Sequence, residues 1–193
     1  QGIQKLFGIP GGAILPLYDA LSQSTKITHV LARHEQGAGF MAQGMARASG
    51  EVAVCLASSG PGATNLLTAI ADAKLDSIPL VAITGQVPKA MIGTDAFQEV
   101  DTYGLSIPIT KHNFLVGSAE ELLEVVPLAF RLAASGRPGP VLIDIPKDVQ
   151  SQSIEVTSWP SPGVADAIPT PDTALLEEVL AILASAERPI FYL

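Results

Sequence analysis

The segment His34-Glu35-Gln36-Gly37-Ala38 places an acidic side chain where a predicted strand meets the start of a predicted helix. A carboxylate in the first turn of a helix is favoured by the helix dipole, so Glu35 has a purely structural explanation. It also has a chemical explanation, because ligands bind at the carboxyl ends of strands in parallel sheets, where a carboxyl group can engage a ring nitrogen. His34 is equally well explained as a structural histidine, and two such groups without further Cys or His do not make a metal site.

Two glycine-rich segments also follow predicted strands. Phe7-Gly8-Ile9-Pro10-Gly11-Gly12-Ala13 and Ser58-Ser59-Gly60-Pro61-Gly62-Ala63-Thr64-Asn65 each lead from a strand into a helix. Backbone N–H groups at a helix start can hold an anion, and glycines let a ligand approach closely. Neither segment has the Gly-x-Gly-x-x-Gly spacing of an NAD-binding domain, and no Lys follows the second in P-loop spacing. A tight turn and an ordinary helix N-terminus remain the alternatives.

Polar groups also stand beside apolar ones later in the chain. The stretch from Gly85 to Pro108 has no clear periodicity, and a long irregular stretch inside a domain is usually functional. Within it, Phe97 and Gln98 offer an apolar wall and a neutral amide. Lys147 directly follows a predicted strand, where its cation could face a carboxylate substrate. A surface lysine paired with Asp148 is the alternative.

The elements that must position these residues alternate between apolar strands and helices. Predicted strands cover Lys5–Ile9, Ile27–Leu31, Val52–Ala57, Leu80–Thr84 and Pro140–Ile145. Predicted helices cover Ala13–Ser22, Glu35–Ala48, Ala63–Lys74 and Glu120–Ala134, and we expect Pro127 to kink or divide the last of them. Near-continuous apolar strands are typical of sheets covered by helices on both faces. The sequence therefore predicts an α/β protein with a doubly wound, mainly parallel sheet.

The composition excludes several classes of function. The chain has 193 residues, and 11 basic against 19 acidic residues give a formal net charge of −8, which argues against nucleic acid and anionic membranes as partners. No apolar stretch approaches the roughly 20 residues of a membrane span. The single Cys55 excludes an internal disulfide framework and is best explained as a buried thiol. The opening residues carry no signal-peptide pattern, so we expect a cytoplasmic protein.

A change in composition follows Asp148. Residues 150–171 are rich in Ser, Thr and Pro, which is typical of an interdomain linker. A helix over Leu175–Ser185 and a strand over Pro189–Leu193 are predicted beyond it. We therefore expect a first domain over residues 1–149, a linker over 150–171 and the start of a second domain over 172–193. The chain lacks an initiator Met and both ends lie near or inside predicted strands, so we expect it to be part of a longer protein.

Six strings of the sequence resemble the N-terminal, pyrimidine-binding domain of acetohydroxyacid (acetolactate) synthase large subunits, thiamine-diphosphate enzymes of branched-chain amino-acid synthesis. They are FGIPGGAILPLYDAL, RHEQGAGFMAQGMARASG, SSGPGATNLLTAIADAKLDSIPLVAITGQV, IGTDAFQEVD, ITKHNFLV and SGRPGPVLIDIPKDV, and they cover nearly all of residues 2–149. The HEQGA and SGPGATN strings are shared by many thiamine-diphosphate enzymes. GTDAFQE with RPGPVLIDIPKDV is much more specific for the biosynthetic, flavin-carrying synthases.

The resemblance implies a role for each matching residue. Glu35 matches the glutamate that bonds N1′ of the cofactor's aminopyrimidine and favours the tautomer that takes the thiazolium C2 proton. Gln98 and Lys147 are implied as the other catalytic residues, Gln98 as a hydrogen-bond partner of the substrate and Lys147 as a cation for a 2-oxoacid carboxylate. The implied cofactor-binding residues are Ile9, Pro10, Gly11, Glu35, Pro61, Asn65 and Arg137, the last as an FAD contact. The implied substrate-pocket residues are Gly12, Ala13, Pro88, Ala96, Phe97, Gln98 and Lys147.

The reaction implied by the resemblance is the ligation of two 2-oxoacids, pyruvate with pyruvate or 2-oxobutyrate, with loss of CO2. The family uses thiamine diphosphate, Mg2+ held by a C-terminal domain, and FAD held mostly by the central domain. No residue of this chain is expected to ligate metal, because the Gly-Asp-Gly…Asn string of that C-terminal domain does not occur in it.

The family's active site forms between two subunits, which implies a homodimer or homotetramer and adds a regulatory subunit as a further candidate partner. On its own the chain is expected to be inactive. Two other functions stay open from the sequence. One is another thiamine-diphosphate enzyme, of the catabolic acetolactate synthase or pyruvate oxidase type, and the other is a non-catalytic assembly domain.

Overall fold

The computed structural model describes residues 1–192 and contains a parallel β-sheet at its centre. In the described residues the sheet has six strands in the order β2-β1-β3-β4-β6-β5, and every neighbouring pair is parallel. The strands are β1 (Lys5–Gly8), β2 (Thr28–Leu31), β3 (Ala53–Ala57), β4 (Leu80–Gln86), β5 (His112–Leu115) and β6 (Pro140–Pro146). The predicted doubly wound sheet is confirmed, and its described strands are parallel throughout.

Helices cover both faces of the sheet. They are α1 (Leu15–Ser22), α2 (Glu35–Ser49), α3 (Pro61–Leu75), α4 (Thr102–Ser106), α5 (Leu122–Ala134), α6 (Lys147–Gln150) and α7 (Thr173–Ser185). Successive strand residues point to opposite faces, so Cys55 packs with the α2 and α3 side of the core and Val54 with the α5 side. Burying a Leu or Ile side chain in either layer stabilises the fold by about 1.5–3 kcal/mol. None of the helices in residues 1–192 is long and apolar enough to cross a membrane.

The strand order places a topological switch point between β1 and β3. The connection from β1 leads to β2 on one side, whereas β3 lies on the other side of β1, so the chain reverses direction across the sheet at this point. In open α/β sheets, the crevice that binds ligands lies at such a switch point, at the carboxyl edge of the strands. The glycine-rich segments after β1 and β3 lie at this edge.

The α2 helix packs closely against α3. A Cβ atom at Gly39 would lie 2.5 Å from the Cβ of Ala69, so the two helices approach as closely as they do only because position 39 is glycine. Beside this contact, Gln43 donates a hydrogen bond from Nε2 to the carbonyl of Ala69 at 2.6 Å. The other two glycines of α2, Gly37 and Gly44, face open space.

Three short elements named above, α4, β5 and α6, were not predicted from the sequence. The stretch without periodicity contains α4, the edge strand β5 follows it, and α6 begins where β6 ends. Asn113 interrupts the apolar pattern of β5, yet it is buried because its amide donates to the carbonyl of Tyr103 and to Ser106 Oγ. Because the partners of Asn113 lie outside β5, the sequence pattern alone does not show that this polar residue is buried in a strand.

Two predictions about the second half of the chain need correction. We expected Pro127 to kink or divide its helix, and it does not divide it, because α5 runs unbroken from Leu122 to Ala134 with Pro127 inside it. No strand forms over residues 189–192, since no neighbouring strand pairs with them, and Leu193 lies outside the described residues.

The segment between α6 and α7 contains no helix or strand but contacts α5. The backbone N–H of Asp166 donates to Ser135 Oγ at 2.9 Å, and Arg131 Nη2 lies 2.8 Å from Asp166 Oδ1. The hydrogen bond from Arg131 lowers the pKa of Asp166 below its ordinary value. These contacts hold the middle of the segment on the sheet domain, whereas α7 buries none of its residues.

Candidate functional site

Glu35 is the first residue of α2 and lies at the carboxyl edge of the sheet. His34 is the N-cap, since its Nδ1 accepts a hydrogen bond from the backbone N–H of Gln36 at 3.1 Å. The histidine therefore has the structural role that the sequence offered as an alternative. The half-buried carboxyl group of Glu35 accepts a hydrogen bond at Oε2 from Asn65 Nδ2 at 2.9 Å. Asn65 lies near the start of α3. The acidic motif that contains Glu35 and the glycine-rich motif of residues 58–65 therefore meet in one site.

The second oxygen of Glu35 lies beside a glycine. A Cβ atom at Gly62 would lie 3.5 Å from Glu35 Oε1 and 3.3 Å from the Cβ of Ser58. A side chain at position 62 would therefore lie in van der Waals contact with this oxygen. Glu35 thus has Oε2 bonded to Asn65, whereas Oε1 accepts no hydrogen bond from the described residues.

The turn before α3 requires a glycine for a different reason. Gly60 has φ +56° and ψ −121°, a conformation that side chains other than glycine rarely adopt. Its hypothetical Cβ would also lie 2.6 Å from the carbonyl oxygen of Gln98. This contact brings the backbone of Gln98, a predicted catalytic residue, onto the turn that leads to Asn65.

The loop from β1 to α1 is fastened to the loop after β3. The backbone N–H of Ala13 donates to Ser58 Oγ at 3.2 Å, and Gln150 Nε2 donates to the carbonyl of Ala13 at 2.8 Å. A Cβ atom at Gly11 would lie 2.5 Å from the Cβ of Ser58. These contacts place the predicted residues of this loop at the switch point; they are Ile9, Pro10, Gly11, Gly12 and Ala13. Ser58 was not among the predicted site residues, although its position at the start of the glycine-rich SSGPG segment indicated that it lies at the site.

The connection after β4 carries the predicted substrate-pocket wall. Residues 87–100, which we call the 87–100 loop, include Pro88, Ala96, Phe97 and Gln98. Phe97 is 87% exposed, and Gln98 has a left-handed backbone with φ +58°. A large apolar side chain this exposed beside a cofactor-like crevice is available for contact with another chain, another domain or a ligand.

Lys147 lies at the carboxyl edge of the sheet, as Glu35 does, whereas Arg137 does not. Lys147 is exposed and begins α6 immediately after β6 ends. Its neighbour Asp148 accepts a hydrogen bond from the backbone N–H of Lys89 at 3.0 Å. Arg137 precedes β6 and so lies at the opposite, amino edge, where it donates to Ser77 Oγ at 2.7 Å and to the carbonyl of Leu75 at 2.9 Å. The structure therefore brings every predicted site residue except Arg137 to one edge.

A buried carboxyl group that was not predicted lies beneath the 87–100 loop. Asp144 is 1% exposed and accepts hydrogen bonds from Thr84 Oγ1 at 2.6 Å and from Gln86 Nε2 at 3.0 Å. Burial raises its pKa most, the two hydrogen bonds oppose the increase and the nearby charge of Asp101 adds to it, so that the pKa is about 7. The sequence indicated this group through the position of Asp144, an acidic residue inside the otherwise apolar strand β6. The other buried titratable group, Cys55, is fully buried, which raises its pKa to about 12 and leaves it unreactive.

Comparisons with known proteins identify the family of the chain. Residues 1–105 match the family described as thiamine pyrophosphate enzyme, N-terminal TPP binding domain. The chain is 65% identical over its whole length to the acetolactate synthase isozyme 1 large subunit of Escherichia coli K12 and covers 34% of that protein. It is 55% identical over its whole length to the isozyme 2 large subunit of the same organism, covering 34% of it. It is also 55% identical, over 99% of its length, to acetolactate synthase 1, chloroplastic, of Oryza sativa subsp. japonica, covering 30% of it.

The family match covers more than half of the chain, so the chain belongs to the thiamine pyrophosphate enzymes through their N-terminal TPP binding domain. It spans about a third of the length of the curated relatives it matches. The suspected relationship to acetolactate synthase large subunits is confirmed at the level of similarity.

Proposed function

We propose that this chain forms the pyrimidine-binding half of the active site in an acetolactate synthase large subunit. The complete protein would join two 2-oxoacids, pyruvate with pyruvate or 2-oxobutyrate, with loss of CO2. The observation that carries the proposal is the Glu35 carboxyl group, which Asn65 holds beside the switch point and whose second oxygen accepts no hydrogen bond from the described residues. Similarity to proteins named acetolactate synthase over the full chain supports the choice of reaction.

The residues at the crevice fit an aminopyrimidine ring. Oε1 of Glu35 accepts no hydrogen bond from the described residues and lies beside Gly62, where a side chain would contact it. Asn65 holds Oε2, so the carboxyl group is oriented before any ligand binds. Glu35 would share a proton with a ring nitrogen through Oε1, which is the role a glutamate needs in order to set the ring's tautomer. Bound thiamine diphosphate would supply the nucleophilic carbon that activates a 2-oxoacid.

Other residues of the chain would face the substrate. Lys147 projects from the same edge as Glu35 and is suited by charge to the carboxylate of a 2-oxoacid. The Gln98 side chain offers an amide that donates to a carbonyl or hydroxyl oxygen. Phe97 and Pro88 would form the apolar wall that keeps water from the reacting groups.

The site needs further domains to be complete. We propose that residues 1–149 are the pyrimidine-binding domain, that 150–171 connect it to the next domain, and that 172–193 begin that domain. The diphosphate and its Mg2+ would be held by a domain outside this chain and belonging to a second subunit, in a homodimer or homotetramer. Exposed apolar side chains around the crevice, Leu31, Phe40 and Phe97, suit such a contact. A regulatory subunit is a further proposed partner.

FAD is proposed as a second cofactor, held mostly by the central domain. Arg137 would contact it from the amino edge of the sheet, away from Glu35. Two of its guanidinium nitrogens already donate to Ser77 and Leu75, which fixes the plane of the group. For the compartment we propose the cytoplasm, and the plastid is the alternative, because the rice relative is named chloroplastic.

Another thiamine-diphosphate reaction, of the catabolic acetolactate synthase or pyruvate oxidase type, is the second candidate function. The shared HEQGA and SGPGATN motifs place Glu35 and Asn65 in the same roles in either case. A pyruvate oxidase would differ in product, because an oxidase consumes an electron acceptor and releases an acetyl compound, whereas a synthase forms a new carbon–carbon bond. A catabolic synthase would form the same acetolactate, and the flavin spectrum of the complete protein would separate it from the biosynthetic, flavin-carrying type.

Acetolactate formation from pyruvate tests the proposal. The complete protein that contains this chain is assayed with thiamine diphosphate, Mg2+ and FAD, beside its Glu35→Gln and Glu51→Gln variants. We expect acetolactate from the unaltered protein, a loss of about 100-fold or more in Glu35→Gln, and little change in Glu51→Gln, since Glu51 is exposed and precedes β3. The 193-residue chain alone should form none. A folded, cofactor-loaded protein that makes no acetolactate would refute the proposed reaction.

A further inference from the structure

The 87–100 loop is closed at both ends by one side chain. Gln86, the last residue of β4, accepts a hydrogen bond at Oε1 from the backbone N–H of Val87 at 2.9 Å. Its Nε2 donates to the carbonyl of Val100 at 2.9 Å, fourteen positions further along the chain than Gln86 itself. A compact surface loop whose ends are held together in this way keeps its shape largely independently of the elements around it.

Asp144 fixes which way the Gln86 amide points. Gln86 Nε2 donates to Asp144 Oδ2 at 3.0 Å, and an amide turned by 180° would place its oxygen against this carboxyl oxygen. Thr84 Oγ1 donates to the other oxygen of Asp144 at 2.6 Å, which holds the carboxyl group in turn. All three side chains are at least 98% buried, so none of these bonds competes with bulk water.

The loop that Gln86 closes is the one that carries the proposed substrate wall. The backbone of Gln98 packs directly against Gly60, so a shift of the loop moves Gln98 relative to the turn before α3. The backbone at Gln98 has φ +58°, a conformation that persists only where the surrounding structure enforces it. Within the loop, the backbone N–H of Glu99 donates to the carbonyl of Ala96 at 2.9 Å, so the Gln98 segment is itself a turn that moves as a unit.

We propose that Gln86, oriented by Asp144, is a positioning residue that holds the 87–100 loop, and with it Gln98, in the geometry that binds the substrate. The inference rests on the proposed function for the substrate's identity but not for the loop's mechanics. The side chain of Gln86 bonds to the backbone at both ends of the loop and to Asp144, and none of these partners is a predicted site residue.

Hydrogen–deuterium exchange on the 193-residue chain tests the mechanical part. Gln86→Met keeps the volume of the side chain and removes its hydrogen bonds, while Gln43→Met removes an equally buried glutamine bond between α2 and α3. We expect exchange of the loop amides over residues 89–99 to rise about tenfold or more in Gln86→Met and to stay within about twofold in Gln43→Met. Unchanged loop exchange in Gln86→Met, or an equal rise in both variants, overturns the proposal.

A variant of Asp144 tests the orienting step. Asp144→Asn keeps an oxygen that can accept from Gln86 and an amide that can donate to Thr84, so loop exchange should remain within about twofold of wild type. Asp144→Leu removes both and should loosen the loop as Gln86→Met does. Equal loop exchange in the Asn and Leu variants overturns the role given to Asp144.

Steady-state kinetics of the complete protein test the link to substrate binding. We expect Gln86→Met to raise KM for pyruvate about tenfold, more than it lowers kcat, because a displaced Gln98 weakens binding. A variant that only loses folded protein lowers the apparent kcat and leaves KM unchanged, and that result overturns the positioning role. If the unaltered protein forms no acetolactate, the proposed function fails while the exchange experiment still decides the mechanics of the loop.

Discussion

Replacement of the buried carboxyl group by an amide, Asp144→Asn, should change how the stability of the chain depends on pH. In the folded chain Asp144 is 1% exposed and its pKa is raised by burial from 3.8 to about 7. In the unfolded chain the group returns to its ordinary pKa. Between the two pKa values the folded state therefore holds a proton that the unfolded state has lost.

The sign and size of the effect follow from this difference. The unfolded state binds fewer protons over this range, so the free energy of unfolding falls as pH rises from about 4 to about 7, by about 1.4 kcal/mol per pH unit in the middle of the range. Above pH 7 Asp144 is ionised in both states and the dependence levels off. Between pH 5 and pH 8 the carboxyl group alone lowers the stability of the chain by about 2.5 kcal/mol.

Urea unfolding of wild type and Asp144→Asn at pH 5 and pH 8 measures this effect. All other titrating groups cancel in the difference between the two proteins, because the variant changes only this one. We expect the free energy of unfolding of the variant, relative to that of wild type, to be about 2.5 kcal/mol higher at pH 8 than at pH 5. A difference that does not vary with pH, or that varies in the opposite direction, would refute the assignment of Asp144 as a buried carboxyl group that stays protonated up to near neutral pH.

Two further predictions concern stability. Gly60→Ala should lower the free energy of unfolding by about 2 kcal/mol or more, because alanine is strained at a positive φ and its Cβ would contact the backbone of Gln98. Gly44→Ala is the control in thermal unfolding, because position 44 faces open space. Equal melting temperatures of the two variants would contradict the close contact at Gly60. Leu66→Ala should cost about 2–5 kcal/mol in urea unfolding, because Leu66 is fully buried between α3 and the sheet. The exposed Leu75→Ala should cost little, and similar losses in both leucine variants would contradict the assigned core.

The strands of the sheet were predictable because they are continuous apolar runs. Both faces of β3 and β6 are covered by helices, so each residue of these strands is buried and the pattern is strong. The edge strand β5 was missed because it has an exposed first and last residue and a buried Asn113 between them. Its burial depends on hydrogen bonds to Tyr103 and Ser106, which no local pattern reveals.

The site was predictable where its residues follow strands in the sequence. Glu35, Asn65 and Lys147 each come shortly after a predicted strand, and the parallel sheet brings such positions to one edge. Arg137 precedes its strand, so the same rule places it at the other edge. The pairing of Gln86 with Asp144 could not be predicted, because it depends on the register of β4 and β6, whose residues are 58 positions apart in the sequence.

The rate at which the thiazolium C2 proton of bound thiamine diphosphate exchanges with solvent tests the central claim most directly. The measurement compares the complete protein with its Glu35→Gln variant, both loaded with cofactor and Mg2+, after quenching in acid. If Glu35 sets the tautomer of the aminopyrimidine, exchange should be about 100-fold slower or more in the variant. Equal rates in two fully loaded proteins would contradict the role of Glu35 and with it the site proposed for this chain.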